Sequence, residues 1–158
     1  AGSHRGDISD HQGRRVTTPD RIAAIRREYD RCFGCGPANP IGLGLDGFSR
    51  DDRTVTAAFA PRPEFNGFAD VLHGGIVATA LDEIMAWTAI LVEGVMVVTG
   101  KLDLRYRNPA GTQSRFLLEG ELVERRGRRL QITGRMREGG KLVADAVGVF
   151  LAVEDLED

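Results

Sequence analysis

One stretch of this chain constrains the fold more than any other. Between residues 73 and 93 the apolar side chains Ile76, Val77, Ala80, Leu81, Ile84, Trp87, Thr88 and Leu91 recur at helical spacing and share one face. The sequence around it reads mainly as strand. Leu43 to Ala60 predicts a hairpin turning at Arg50–Arg53. After Gly94 come four further strand patterns, VMVVTGKLDLRYR, SRFLLEGELVERR, RRLQITGRMRE and KLVADAVGVFLAVE, punctuated by Asn108–Gly111, Gly127 and Gly139–Gly140. In the first of these, Leu102, Leu104 and Tyr106 are expected to point inward. Strands joined by short turns pair antiparallel, and a lone long helix must bury its apolar face against them. The expected class is therefore α+β: about six antiparallel strands curved round one central helix. A shorter helix is expected at 18–30, with Thr18 as cap and Pro19 at its first position. Residues 31–42 read as a loop dense in Gly and Pro, so the organisation is a residue 1–17 leader, an 18–42 helix and loop, and a 43–154 domain.

Bulk composition narrows the function. With 158 residues and 42% hydrophobic content, one domain with a real core is expected. Lys plus Arg number 21 against 23 Asp plus Glu, which gives no basic excess for nucleic acid. No uninterrupted apolar run reaches the ~18 residues of a membrane helix. The first residues, AGSHRGDISDHQGRR, have no apolar signal core, so a cytoplasmic location is expected and Gly2-Ser3-His4 reads as a cloning remnant or disordered leader. Cys32 and Cys35 form Cys-Phe-Gly-Cys, but none of His4, His11 and His73 stands at a zinc-ligand spacing from them. A tight Gly-rich turn is the expectation there, with no metal.

The helix also carries the candidate chemistry. Opposite its apolar face, Gly75, Ala78, Thr79, Asp82, Ala86 and Ala89 form a stripe of small residues around one carboxylate. A solvated helix face would more often show Lys, Glu and Arg. Asp82 is the first-choice carboxylate and Glu83, well round from the stripe, the second. His73-Gly74-Gly75 places bare backbone N–H groups at a helix N-terminus, where the dipole favours negative charge and an oxyanion can be held. His73 is equally readable as a capping residue. Gly74 and Asp82 are eight residues apart, roughly 12 Å along one helix axis. A base and an oxyanion donor must both lie about 3 Å from one reacting group. Two helices packed antiparallel would meet that demand, which predicts at least a dimer. There is no G-x-S-x-G elbow, no Walker A loop and no complete dinucleotide fingerprint. Met85, Trp87, Met96 and Phe68 are candidates for an acyl pocket, though such residues are more often core.

The run Asn66-Gly67-Phe68-Ala69-Asp70-Val71-Leu72-His73-Gly74-Gly75-Ile76-Val77-Ala78-Thr79-Ala80-Leu81-Asp82-Glu83 resembles the signature of hot-dog-fold acyl-CoA thioesterases of the phenylacetyl-CoA thioesterase-like type. Thr99 to Pro109 resembles the family's strand after the helix, and Cys32 to Leu43 a leader of some bacterial members. The resemblance covers roughly residues 31–153. It implies a hot-dog fold and hydrolysis of an acyl-CoA thioester at a site shared by two subunits. Gly74 would supply the oxyanion hole, Asp82 the base or nucleophile, and Thr99 the hydroxyl that orients water. His73 would support the helix start or the thioester, and Asn66, Gly75 and Arg107 would contact substrate. Arg105 and Arg107, or the cluster Arg125, Arg126, Arg128 and Arg129, could meet the phosphates of coenzyme A. No cofactor is implied, since coenzyme A is part of the substrate. The implied assembly is a homodimer, with a dimer of dimers as a further form. A non-hydrolytic hot-dog protein that binds acyl-CoA, a hydratase-like enzyme and a plain dimerisation module are the alternatives.

Overall fold

The computed structural model describes residues 18–156, so the expectation for residues 1–17 lies outside it. Helix α1 spans Thr18–Glu28, with Asp20 in its first turn and Arg26 and Arg27 in its last, the charge placement its dipole favours. Strands β1 (Ser49–Asp51) and β2 (Thr54–Phe59) form a short hairpin. Helix α2 spans Gly74–Thr88 and runs on through a π-helical turn, Ala89–Glu93, that ends at a left-handed Gly94. Four long strands follow: β3 (Val95–Tyr106), β4 (Phe116–Arg126), β5 (Arg129–Glu138) and β6 (Lys141–Asp155). All pairings are antiparallel and the strand order is β1-β2-β4-β5-β6-β3. This is the hot-dog arrangement, a curved six-stranded sheet around one long helix.

The core lies between α2 and the concave sheet face. Leu81, Ile84, Met85 and Trp87 of the helix meet Val55, Leu118, Leu130, Ile132 and Phe150 of the strands, all essentially inaccessible. Full burial of each such side chain contributes about 1.5–3 kcal/mol. The close approach of helix to sheet needs a missing side chain at Gly120 of β4, where a Cβ would fall 2.1 Å from Thr88 Oγ1. By length and composition alone, the 20-residue stretch Gly74–Glu93 is apolar enough to cross a membrane, despite Asp82 and Glu83 at its middle. Here the sheet wraps it instead.

Three expectations are corrected. Residues 43–48 are not strand: Gly44 and Gly47 take positive φ values of 63° and 70°, which breaks the pleat. The segment still buries Leu43, Leu45 and Phe48, and Phe48 stacks on Trp87 with centroids 4.4 Å apart. On the helix, Met85 and Ala89 are buried while Ile76 is only half-buried, because the sheet curls round more of the surface than one stripe. Tyr106 faces the helix as expected but keeps 56% of its surface exposed, since β3 is an edge strand.

Candidate functional site

The start of α2 is fixed from three sides. Leu72 N–H donates to Ala110 O at 2.7 Å and His73 N–H to Phe65 O at 2.9 Å, which ties the incoming chain to its neighbours. His73 is the N-cap, with φ −58° and ψ 133°, and its Nδ1 accepts the Gly75 N–H at 2.9 Å. An accepting Nδ1 carries no proton, so the neutral ring holds its proton on Nε2. Ile76 and Val77 N–H both donate to His73 O. Among the described residues no acceptor takes the Gly74 N–H. Tyr106 Oη donates to Gly74 O at 2.7 Å, a contact that strand alternation alone does not reveal. The helix start thus presents one uncommitted donor, Gly74 N–H, at the positive end of the helix dipole.

Asp82 sits two turns further on, half-buried, and accepts a hydrogen bond from Thr99 Oγ1 at 2.7 Å. A bulge brings Thr99 there. Thr99 pairs with Phe150 and Lys101 with Val149, so Gly100 is the extra residue between them. Thr99 pairs with Phe150, and Leu102, Leu104 and Tyr106 pair with Gly148, Ala146 and Ala144. Those β6 residues share one parity and face the helix. Strict alternation on β3 would have turned Thr99 away from Leu102. The bulge restores it to the helix side.

Asp82 and Thr99 stand at the wall of a cavity of about 540 Å³ that also takes in Trp87, Ile90, Met96 and Val97. Of the four acyl-pocket candidates, Trp87 and Met96 line this cavity, Met85 lies in the core and Phe68 is 90% exposed. The small-residue stripe is only partly a surface: Ala86 lines the cavity and Ala89 is inside the core.

Glu83 points elsewhere, under the Cys32–Cys35 loop. Its Oε1 accepts from Trp87 Nε1 at 3.1 Å and lies 3.6 Å from Cys32 Sγ. Both sulfurs and a Glu83 carboxylate oxygen fall within 4.8 Å of one another. Burial pushes the Glu83 carboxyl up to about 7. A hydrogen bond from the Cys35 thiol, joined by the Gly34 and Cys35 backbone N–H groups, holds Cys32 down to about 5, while the same thiol partner and burial raise Cys35. These three residues are the only described group of Cys, His, Asp and Glu side chains clustered closely enough to hold a metal.

The remaining candidates are dispersed. Asn66 Nδ2 donates to Ala69 O, which closes the loop before the helix, and Asn66 bridges to Leu72. Arg107 pairs with Asp145 through Nε at 3.1 Å and also borders a second cavity of about 440 Å³ beside Gly74 and Tyr106. In the other cluster, Arg125 pairs with Glu93, Arg126 with Glu124, and Arg128 Nε donates to Ala152 O. Arg125 Nε also donates to Gly127 O, so these side chains are engaged within and beside their own hairpin.

Parts of this sequence and its fold are shared with known proteins. Residues 69–144 match the model of the thioesterase superfamily. That match spans just under half of the chain. The chain is 24% identical to the acyl-coenzyme A thioesterase THEM4 of Bos taurus over 139 residues, which is 86% of this chain and 57% of that protein's length. A phenylacetic acid degradation-related protein of Ralstonia eutropha shares the fold at 20% identity and a TM-score of 0.67, over 80% of this chain and 98% of its own. A Streptococcus mutans protein solved with acetyl-CoA bound shares it at 16% identity and a TM-score of 0.65, over 71% of this chain and 93% of its own.

Proposed function

We propose that this chain hydrolyses acyl-CoA thioesters to free acid and coenzyme A, at sites shared between two copies. The hydrogen bond between Thr99 and Asp82 on the wall of an apolar cavity carries this reading. The THEM4 relative, an acyl-coenzyme A thioesterase by name, and the acetyl-CoA-bound structural neighbour support the substrate class. The Thr99 hydroxyl spends its proton on Asp82 Oδ1, so its oxygen is left to accept a hydrogen bond from water. The second Asp82 oxygen then takes the proton as that water attacks the thioester carbon. The carbonyl oxygen becomes an oxyanion, held by Gly74 N–H and the helix dipole. Collapse breaks the C–S bond, and coenzyme A leaves as its thiol, taking the proton that Asp82 received. His73 Nε2–H is a further donor toward the thioester, and Arg107 a cation for coenzyme A. Direct attack by Asp82 through an anhydride is the other route to the same products.

Gly74 and Asp82 of one chain are too far apart to act on one carbonyl, which is why the proposal needs a partner. Strand β3 ends the sheet with one edge unpaired over 12 residues, and such an edge needs cover. A second copy across β3 would bring the two α2 helices side by side. The test is a mixed dimer of Asp82→Ala with Gly74→Pro, assayed on a panel of acyl-CoAs. Proline suits the first helical position, and His73 already has the extended backbone a following proline demands. Each parent should be nearly inactive. The mixed dimer should regain up to about half the wild-type rate, because one of its two sites is whole. A stable mixed dimer without recovery would sink the shared site. A wild-type protein that binds acyl-CoA without cleaving it would sink hydrolysis itself.

A further inference from the structure

The Cys32–Cys35 loop lies on α2 in an unusual way. Gly34 packs so closely against the Glu83 carboxyl that a Cβ would fall 2.3 Å from its Cδ. Gly36 turns back just as tightly, with a Cβ position 2.3 Å from Asp30 O, and its N–H donates to Cys32 O at 2.8 Å. Leu45 N–H donates to Gly34 O and Leu43 N–H to Phe33 O, which pins the rest of the loop. Both sulfurs and a Glu83 carboxylate oxygen lie within 4.8 Å of one another beneath this turn. This Cys-x-x-Cys-Gly turn gathers two thiols on the carboxylate of a helix residue.

We propose that Cys32, Cys35 and Glu83 form a binding site for a thiophilic divalent cation of the zinc class, which fastens the N-terminal loop to helix α2. Zinc bound at about 2.3 Å to sulfur and about 2.0–2.2 Å to oxygen would set a tetrahedral S···O edge of about 3.6 Å. Cys32 Sγ and Glu83 Oε1 are 3.6 Å apart. No cationic side chain serves Glu83 among the described residues. Its protein partners are the Trp87 indole and the Cys32 thiol, while nearby Arg26 is spent on Cys35 O and Asp46. A half-buried carboxylate facing two thiols is a poor arrangement without a cation and a good one with it. All three residues also line the large cavity, so a fourth coordination position would open into it. Counting ligands near the cysteines in sequence misses this site, because the third donor comes 48 residues after Cys35.

The experiment is cobalt substitution. Chelator-treated, reduced protein is titrated with Co²⁺, and thiolate-to-cobalt charge-transfer absorption is followed. Histidines elsewhere in the chain cannot mimic that band, because it requires sulfur. The wild type should bind one cobalt per chain with this absorption, and zinc should displace it and raise the melting temperature. The double variant Cys32→Ser, Cys35→Ser should lose the band, and Glu83→Gln should bind at least about tenfold more weakly. Far-UV circular dichroism checks the folding of both, and the wild-type titration needs no variant. Absence of the band in wild type, its survival in the double variant, full affinity in Glu83→Gln, or a Cys32–Cys35 disulfide that excludes metal under these conditions would each overturn the proposal. None of these readouts depends on thioester hydrolysis.

Discussion

Asp82 and Glu83 are adjacent on one helix and border one cavity, yet their surroundings have little in common. Asp82 keeps one short hydrogen bond, to Thr99, and stays half-buried at the cavity wall. Glu83 is held by Trp87 and faces the cysteines under a loop whose glycine leaves it no spare room. A helix turns about 100° per residue, so neighbouring carboxylates are delivered to different elements. Asp82 goes to the edge strand that a second copy would cover, and Glu83 to the N-terminal loop. The first surrounding leaves a carboxylate free to take a proton from water. The second encloses it between a tryptophan and two cysteines.

That contrast is broken most directly by neutralising each acid in turn. Asp82→Asn should lower turnover of a good acyl-CoA substrate by about 10²-fold or more, the scale of a lost general base, with the melting temperature little changed. Glu83→Gln should keep turnover within about tenfold of wild type, and its main effect should appear in stability and metal binding. The reverse ranking in steady-state kinetics would exchange the two roles.

The next effect is smaller because it acts through Asp82. Thr99→Val preserves β-branching on the strand and removes the hydroxyl that donates to Asp82. Turnover should fall about tenfold with KM nearly constant, the pattern of an interaction made chiefly in the transition state. A rise in KM alone would assign Thr99 to binding.

What could be read from sequence divides along the same line. The helical spacing of Val77, Ala80, Leu81, Ile84 and Trp87 announces the central helix, and the turn residues after it announce four further strands. The expected meander of all four is corrected: only β4, β5 and β6 follow one another, while β3 crosses over to pair with β6 at the sheet edge. Asp82 stands out as a candidate because a lone acid in a small-residue stripe is out of place on a solvated face. The positions of Thr99 and Tyr106 were harder. The one-residue bulge at Gly100 changes strand parity, so alternation alone misplaces Thr99 relative to Leu102, and only the resemblance pointed to it. The helical wheel of α2 alone does not show the surroundings of Glu83, because they come from the Cys32–Cys35 loop far earlier in the chain. The segment 43–48 misled because Leu43 and Leu45 alternate like a strand while Gly44 and Gly47 adopt left-handed backbone.

The smallest expected effect falls on Tyr106, and it tests whether the helix start must be held as firmly as the acid. Its hydroxyl donates to the carbonyl of Gly74, the residue whose N–H is the proposed oxyanion donor. Tyr106→Phe keeps the ring and its packing and deletes that one hydrogen bond. A single neutral hydrogen bond contributes about 1 kcal/mol net, equivalent to about a fivefold rate change if it acts wholly on the transition state. Because Tyr106 is more than half exposed, little stability rests on the hydroxyl, and the melting temperature should move by only a degree or two. Turnover should therefore fall a few-fold at constant KM, while Tyr106→Ala should lose stability as well. If Tyr106→Phe lowers the melting temperature but leaves turnover intact, the hydroxyl braces the fold and does not position the Gly74 peptide. If it lowers turnover alone, both the helix start and the carboxylate two turns on depend on hydrogen bonds from the same edge strand, one from beside the bulge and one from the strand's last residue.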